Sequence, residues 1–174
     1  HANNRWFRGQ IDEVAVYDQA LSQERVQLHF LAGAGGGEPE PEPDDAELLA
    51  HWTFDTNATD SAGNHDGTLG GGASITTQSI IGNGALDLRN ANGYVDVPAA
   101  VLSAEASFSV SYWVAIESLT AIGFSSIYSN DAWSPGKLRM NVVTNTGAVE
   151  LGVNGNSALP TTSSTIAPNN QWVH

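Results

Sequence analysis

In SFSVSYWVAI, residues 107–116, apolar side chains fall at every second position. Phe108, Val110, Tyr112, Val114 and Ile116 share one side, and Ser107, Ser109 and Ser111 the other. A period of two is that of a strand with one face buried. ELLAHWTFD repeats it and groups Leu48, Ala50, Trp52 and Phe54. IDEVAVY differs: Ile11, Ala15 and Tyr17 share one side while Val14 and Val16 share the other. A strand apolar on both faces is central or covered. Shorter runs follow, ALDL, GYVDV, SSIYS, KLRMNVV and AVELGV, separated by Gly, Asn, Asp, Ser and Pro clusters that mark turns. Only residues 22–31 carry helix signals. Ser22 is placed to cap, Glu24 lies in the first turn, Leu21 and Val26 are spaced as a hydrophobic staple, and Gly33 is a stop. The pattern predicts an all-β protein, an antiparallel β-sandwich or jelly roll with one short helix.

One stretch breaks the pattern. GAGGGEPEPEPDD, residues 33–45, is glycine followed by alternating Glu and Pro. Such a run is extended and self-repelling, so residues 34–45 read as a semi-stiff spacer. It divides the chain into residues 1–33 and 46–174. The first piece is too small to bury a core of its own. The spacer and its edge also hold Glu38, Glu40, Glu42, Asp44, Asp45 and Glu47, so much of the chain's acidity is local to it.

Charge narrows the partners. Six Lys and Arg stand against 19 Asp and Glu, a formal charge of −13. That surface repels phosphate backbones and anionic lipid, so neither nucleic acid nor a membrane surface is an expected partner. No apolar run reaches the length of a membrane span, so no membrane insertion is expected. The absence of Cys excludes disulfides and thiolate zinc sites. A targeting signal, if the protein has one, is expected outside this sequence.

LLAHWTFD, DSAGNHDGTL, GNGALDLRNANGYVDVP and SFSVSYWV, in that order, resemble the opening of a laminin-G-like, concanavalin A-like jelly-roll domain of the bacterial extracellular type. RWFRGQIDEVAVYDQALSQERV resembles the closing strand and helix of the same family. In the family the closing motif comes last, whereas here it comes first. The second piece stops at NNQWVH, which is similar to the start of a middle strand; about thirty residues of further strands are missing by ordinary hairpin lengths. The sandwich is therefore expected to be incomplete or permuted. Three arrangements satisfy that order. The chain is a window across a tandem array, or residues 1–33 dock back on residues 46–174, or another chain supplies the missing strands to exposed edges. The first is the leading expectation.

The densest oxygen cluster is DTNATDSAGNHDG, residues 55–67. Asp55, Asn57, Asp60, Ser61, Asn64 and Asp66 are hard ligands, and calcium takes six to eight such oxygens from a bent loop. The EF-hand pattern fails, because Asp60 stands where the sixth-position Gly belongs and no Glu closes the loop. The same residue types are also ordinary turn formers. The resemblance implies a structural calcium where this loop meets the closing strand, with Asp60, Asn64 and Asp66 from the loop, Asp12 from IDEV, and Asp55 beside them. His1, His29, His51, His65 and His174 are scattered and lack zinc-site spacing.

No nucleophile, zincin or phosphate-loop motif occurs. Glucanases of the concanavalin A-like kind use paired carboxylates, but Glu150 stands alone and Asp12 and Glu13 alternate to opposite faces. The chain is expected not to be an enzyme. YSNDAWSPG, residues 128–136, brings together Tyr128, Asn130, Asp131 and Trp133, which suit a sugar through stacking and hydrogen bonds, the alternative being that Trp133 folds back as a lid on the core. The expected role is a noncatalytic binding or spacer module of a multidomain extracellular or cell-surface protein, with a glycan or a surface protein as partner. The alternatives are a structural subunit that pairs with neighbouring copies head to tail by strand complementation, and an accessory domain of a carbohydrate-active enzyme.

Overall fold

The computed structural model describes residues 6–36, 46–90, 92–98, 101, 107–118, 124–129, 138–143, 147–153, 156–159 and 170–174. Strand β1 (Gly9–Tyr17) leads into helix α1 (Gln23–Gly33), and the remaining elements are strands: β2 (Leu48–Trp52), β3 (Thr68–Gly70), β4 (Ser74–Thr76), β5 (Ala85–Asp87), β6 (Tyr94–Asp96), β7 (Ser109–Ile116), β8 (Phe124–Ser129), β9 (Leu138–Val143), β10 (Val149–Val153), β11 (Asn156–Leu159) and β12 (Trp172–Val173). The pairings are antiparallel throughout, in sheets of six, four and two strands. The protein is all-β with a single helix among the described residues.

The N-terminal strand lies in the interior of the largest sheet. β1 pairs with β7 along one edge from Gly9 to Tyr17. Its other edge is shared, with Gln10 and Ile11 facing β5 and Val14 to Tyr17 facing β2. The two β1 segments are separated by a bulge, since two residues of β1 (Glu13 and Val14) stand opposite one of β7 (Tyr112). Glu13 sits in the bulge with φ +51, the left-handed region that non-glycine residues seldom enter. The bulge falls where β1 changes partner, and it resets the alternation read from sequence. Ile11, Asp12, Ala15, Val16 and Tyr17 are all buried.

Strands from both sides of the spacer, β1 before it and β2, β4, β5, β7 and β12 after it, thus share one sheet within a single chain. Asp18 and Glu47 clip the junction: the Asp18 amide donates to the Glu47 carbonyl at 3.1 Å, and the Glu47 amide donates to the Asp18 carboxylate at 2.7 Å. The chain leaves the sheet at residue 18 and re-enters beside its point of departure.

One core cluster joins Phe7, Ile11 and Val16 to Trp52, Phe54, Leu86, Val114 and Ile116, and Val142 of β9 brings the four-stranded sheet into it. The serine face of β7, expected outward, is covered by the helical segment. The Leu21 amide donates to Ser109 Oγ at 3.0 Å, and Trp113 on the same face is buried beneath α1. Phe30 stacks on the Trp113 ring with centroids 5.8 Å apart. Gly33 comes so close that an added Cβ would lie 2.2 Å from the indole. Ser22 caps α1 as expected, accepting from the Arg25 amide at 3.1 Å. Val26, however, is exposed rather than stapled, and the left-handed residue after the helix is Gly35 rather than Gly33. No helix of the described residues is long and apolar enough to cross a membrane.

Candidate functional site

The calcium candidates fall into two groups, each built around a loop. Asp12 lies in β1 just before the bulge and is fully buried. Its Oδ2 accepts from the amides of Ile80 and Ile81 at 3.0 and 3.2 Å, and its Oδ1 from Glu13 at 3.0 Å. Asp55 grips the other end of the same loop, where its Oδ1 accepts from the amides of Asn83 and Gly84. Two acids from distant parts of the chain therefore hold residues 80–84 from opposite ends.

The second group is the Asp-rich turn itself. Asp60 Oδ1 accepts from the amides of His51 and Ala62, at 2.8 and 2.9 Å, and Oδ2 accepts from the His65 amide at 3.0 Å and meets His65 Nδ1 at 3.2 Å. Asp66 Oδ1 accepts from the Asp60 amide at 2.9 Å. Asn64 is exposed. Trp52 fixes the turn from beneath, its indole donating to the His65 carbonyl at 2.9 Å.

These environments split the acids electrostatically. Burial pushes the Asp12 carboxyl from its ordinary 3.8 up to about 7, against the opposing pull of the Ile80 and Ile81 amides. Burial also acts to raise Asp60, but the amides of His51, Ala62, His65 and Gly63 outweigh it and hold that carboxyl below its ordinary value.

Both oxygens of Asp12 and both of Asp60 thus face N–H groups rather than a common point. Among the described residues no three His, Asp or Glu side chains gather as a metal cage requires. As placed, these side chains do not fit the shared calcium site that the resemblance implies. A cation there would have to share these oxygens with the amides or displace them.

A third constellation was not anticipated. Glu13 Oε2 lies 2.7 Å from His51 Nε2, and His51 Nδ1 lies 3.2 Å from Ser61 Oγ. The order acid, imidazole, hydroxyl is that of a nucleophilic triad. What such a site also needs is amide donors aimed at the developing oxyanion. Here the Ala62, Gly63 and His65 amides beside Ser61 are directed at the Asp60 carboxylate. The Ser61 hydroxyl is also shared with the His51 carbonyl at 3.0 Å. The row ties the bulge to β2 and the Asp-rich turn. The sequence signal for it was weak, because Glu13 reaches His51 only through the bulge.

Tyr128 lies in β8, whereas Asn130, Asp131 and Trp133 lie outside the described residues. No protein-family model, curated protein or solved structure matches the chain.

Proposed function

We propose that this chain is a noncatalytic binding or spacer module of an extracellular or cell-surface protein, built as a permuted laminin-G-like jelly-roll sandwich. The observation that carries the reading is the use of its acids. Asp12, Asp55, Asp60 and Asp66 each accept backbone N–H groups, so they stiffen loops instead of presenting a reactive pair. The amides around Ser61 are likewise taken by Asp60. Extended polysaccharides incubated with the purified chain should release no reducing ends. Such release, or hydrolysis of an activated ester that disappears in Ser61→Ala, would overturn the proposal. Within this reading, retention of glycans that is lost in Trp133→Ala supports a binding role, and absence of retention supports a spacer.

Calcium enters this proposal as a structural ion in competition with amides. With the Asp12 and Asp60 carboxylates engaged by separate sets of amides, millimolar calcium should leave the Tm unchanged. A site with a Kd of about 10 μM would stabilise the fold by about 2.7 kcal/mol at a hundredfold excess of ion. A rise of several degrees would therefore show the amides yielding to the ion and would restore the calcium site to the proposal.

A further inference from the structure

Two imidazole nitrogens converge on one hydroxyl where the helix meets the sheet. Ser111 Oγ of β7 lies 3.0 Å from His29 Nδ1 of α1 and 2.8 Å from His174 Nε2, next to β12. The rings are edge to face, with centroids 5.9 Å apart. On its other side, His29 Nε2 meets the Tyr17 hydroxyl of β1 at 3.3 Å and Arg25 Nε of α1 at 3.4 Å. His174 also lies against Trp113, with ring centroids 5.1 Å apart.

Donor chemistry gives this row a direction. Arg25 Nε can only donate, so His29 Nε2 accepts and carries no proton. Neutral His29 then holds its proton on Nδ1 and donates it to Ser111 Oγ. The serine has one hydrogen, which goes to His174 Nε2. The row reads Arg25 to His29 to Ser111 to His174, and it is complete only while both imidazoles are neutral. A proton added to His29 puts an N–H opposite Arg25 Nε–H and a second positive charge beside the guanidinium. A proton added to His174 turns its Nε2 into a donor and leaves the Ser111 hydrogen without its acceptor. The charged and titratable groups in contact with the pair include Arg25 from α1 and the Tyr17 phenol from β1, whose ring also lies beneath the Arg25 guanidinium.

We propose that Ser111, held between His29 and His174, is the bolt of a proton-operated latch that fastens α1 and the β12 end of the chain to β1 and β7, closed at neutral pH and loosened in mildly acidic solution. The leverage comes from how little of the helix is buried. Of its residues only Gly33 is buried, while Val26, Phe30 and Leu31 are about half exposed. An element with so few buried contacts opens at low cost, and a polar tie then sets a large share of that cost. Burial also favours the neutral form of His174, holding it below its ordinary 6.5. The sign follows: the unfolded chain takes up protons before the folded one, so the tie weakens as pH falls through about 6.5.

Two measurements on the full chain test this. Imidazole nitrogen NMR of the unmodified protein near neutral pH should find the proton on Nδ1 in both His29 and His174. A proton on Nε2 of either would overturn the relay without any variant. Hydrogen exchange corrected for intrinsic rates should show α1 amides losing about tenfold in protection between about pH 7.5 and about pH 5.5 while β7 holds its own. The His29→Gln, His174→Gln double variant should abolish that dependence, whereas His51→Gln should leave it intact. Equal α1 protection at the two pH values, or a loss that persists in the double variant, would overturn the latch.

Discussion

Residues 46–174 produced without the N-terminal segment should show no cooperative unfolding transition, and a peptide covering residues 6–36 added in trans should restore one. β1 is bordered by β7 on one edge and by β5 and β2 on the other. Its removal opens the six-stranded sheet at its centre and leaves three strands with unpaired backbone groups. It also removes Ile11, Val16 and Tyr17, each no more than 5% exposed. At about 1.5–3 kcal/mol for each large apolar side chain, that loss is on the order of 5–9 kcal/mol before any backbone group is counted. A domain's whole margin is about 5–15 kcal/mol. The far-UV signal and the dispersion of amide resonances would report the collapse, and peptide titration would report the rescue. A truncated chain that melts cooperatively on its own would show that β1 is an accessory to the sheet and not its centre. A single substitution probes the same point: Val16→Asp places an unpaired charge in the core and should abolish the thermal transition.

That expectation was only partly legible in the residues. Strict alternation marked β7 and β2, and the two-sided apolar pattern of IDEVAVY marked β1 as central or covered. Ser22 announced the helix through a side chain and an amide three residues apart. Each of these signals is local. The bulge at Glu13 is not, because it arises where β1 exchanges one neighbour for another, and both neighbours lie far along the chain. The covering of the β7 serine face was hidden for a similar reason. Ser109 and Ser111 look like solvent-facing residues, and they are polar because a helix segment docks on them through hydrogen bonds.

The candidate site was legible in its residue types and not in their use. Asp, Asn, Ser and Gly suit a calcium loop and a hydrogen-bonded turn equally well, since both need short side chains bearing oxygen on a bent backbone. The choice depends on what faces those oxygens. For Asp60 the partners lie within the turn and the adjoining strand. For Asp12 they are the Ile80 and Ile81 amides, 68 and 69 residues away. No periodicity encodes that pairing. The convergence of His29, Ser111 and His174 was hidden in the same way, because three elements bring them together and no motif joins them.

Asp12 is where a single substitution outside the apolar core should cost most. Asp12→Ala removes the acceptor for three amides, those of Ile80, Ile81 and Glu13. At about 1 kcal/mol for each part-buried donor left unsatisfied, the lower end of the range for buried ones, the loss is on the order of 3 kcal/mol and is readable as a lower denaturation midpoint. The pH dependence separates the charge from the hydrogen bonds. Burial raises this carboxyl from 3.8 to about 7, so between those values the folded state keeps a proton that the unfolded chain has released. Stability contributed by Asp12 therefore declines as pH rises through that window, by on the order of 4 kcal/mol at most at 1.36 kcal/mol per pH unit. Asp60 and Asp87 act the other way: both are held below 3.8, so their contribution is present above that value and is lost only as pH falls beneath it. The windows do not overlap, which lets one titration resolve them. Asp12→Asn keeps the shape and one acceptor but cannot ionise. It should be less stable than the parent near pH 4, and its deficit should shrink toward pH 8 as the parent alone loses stability. A deficit that instead widens with rising pH would mean that the three amides outweigh burial and keep Asp12 ionised, which would make it a fixed anion at the centre of the sheet.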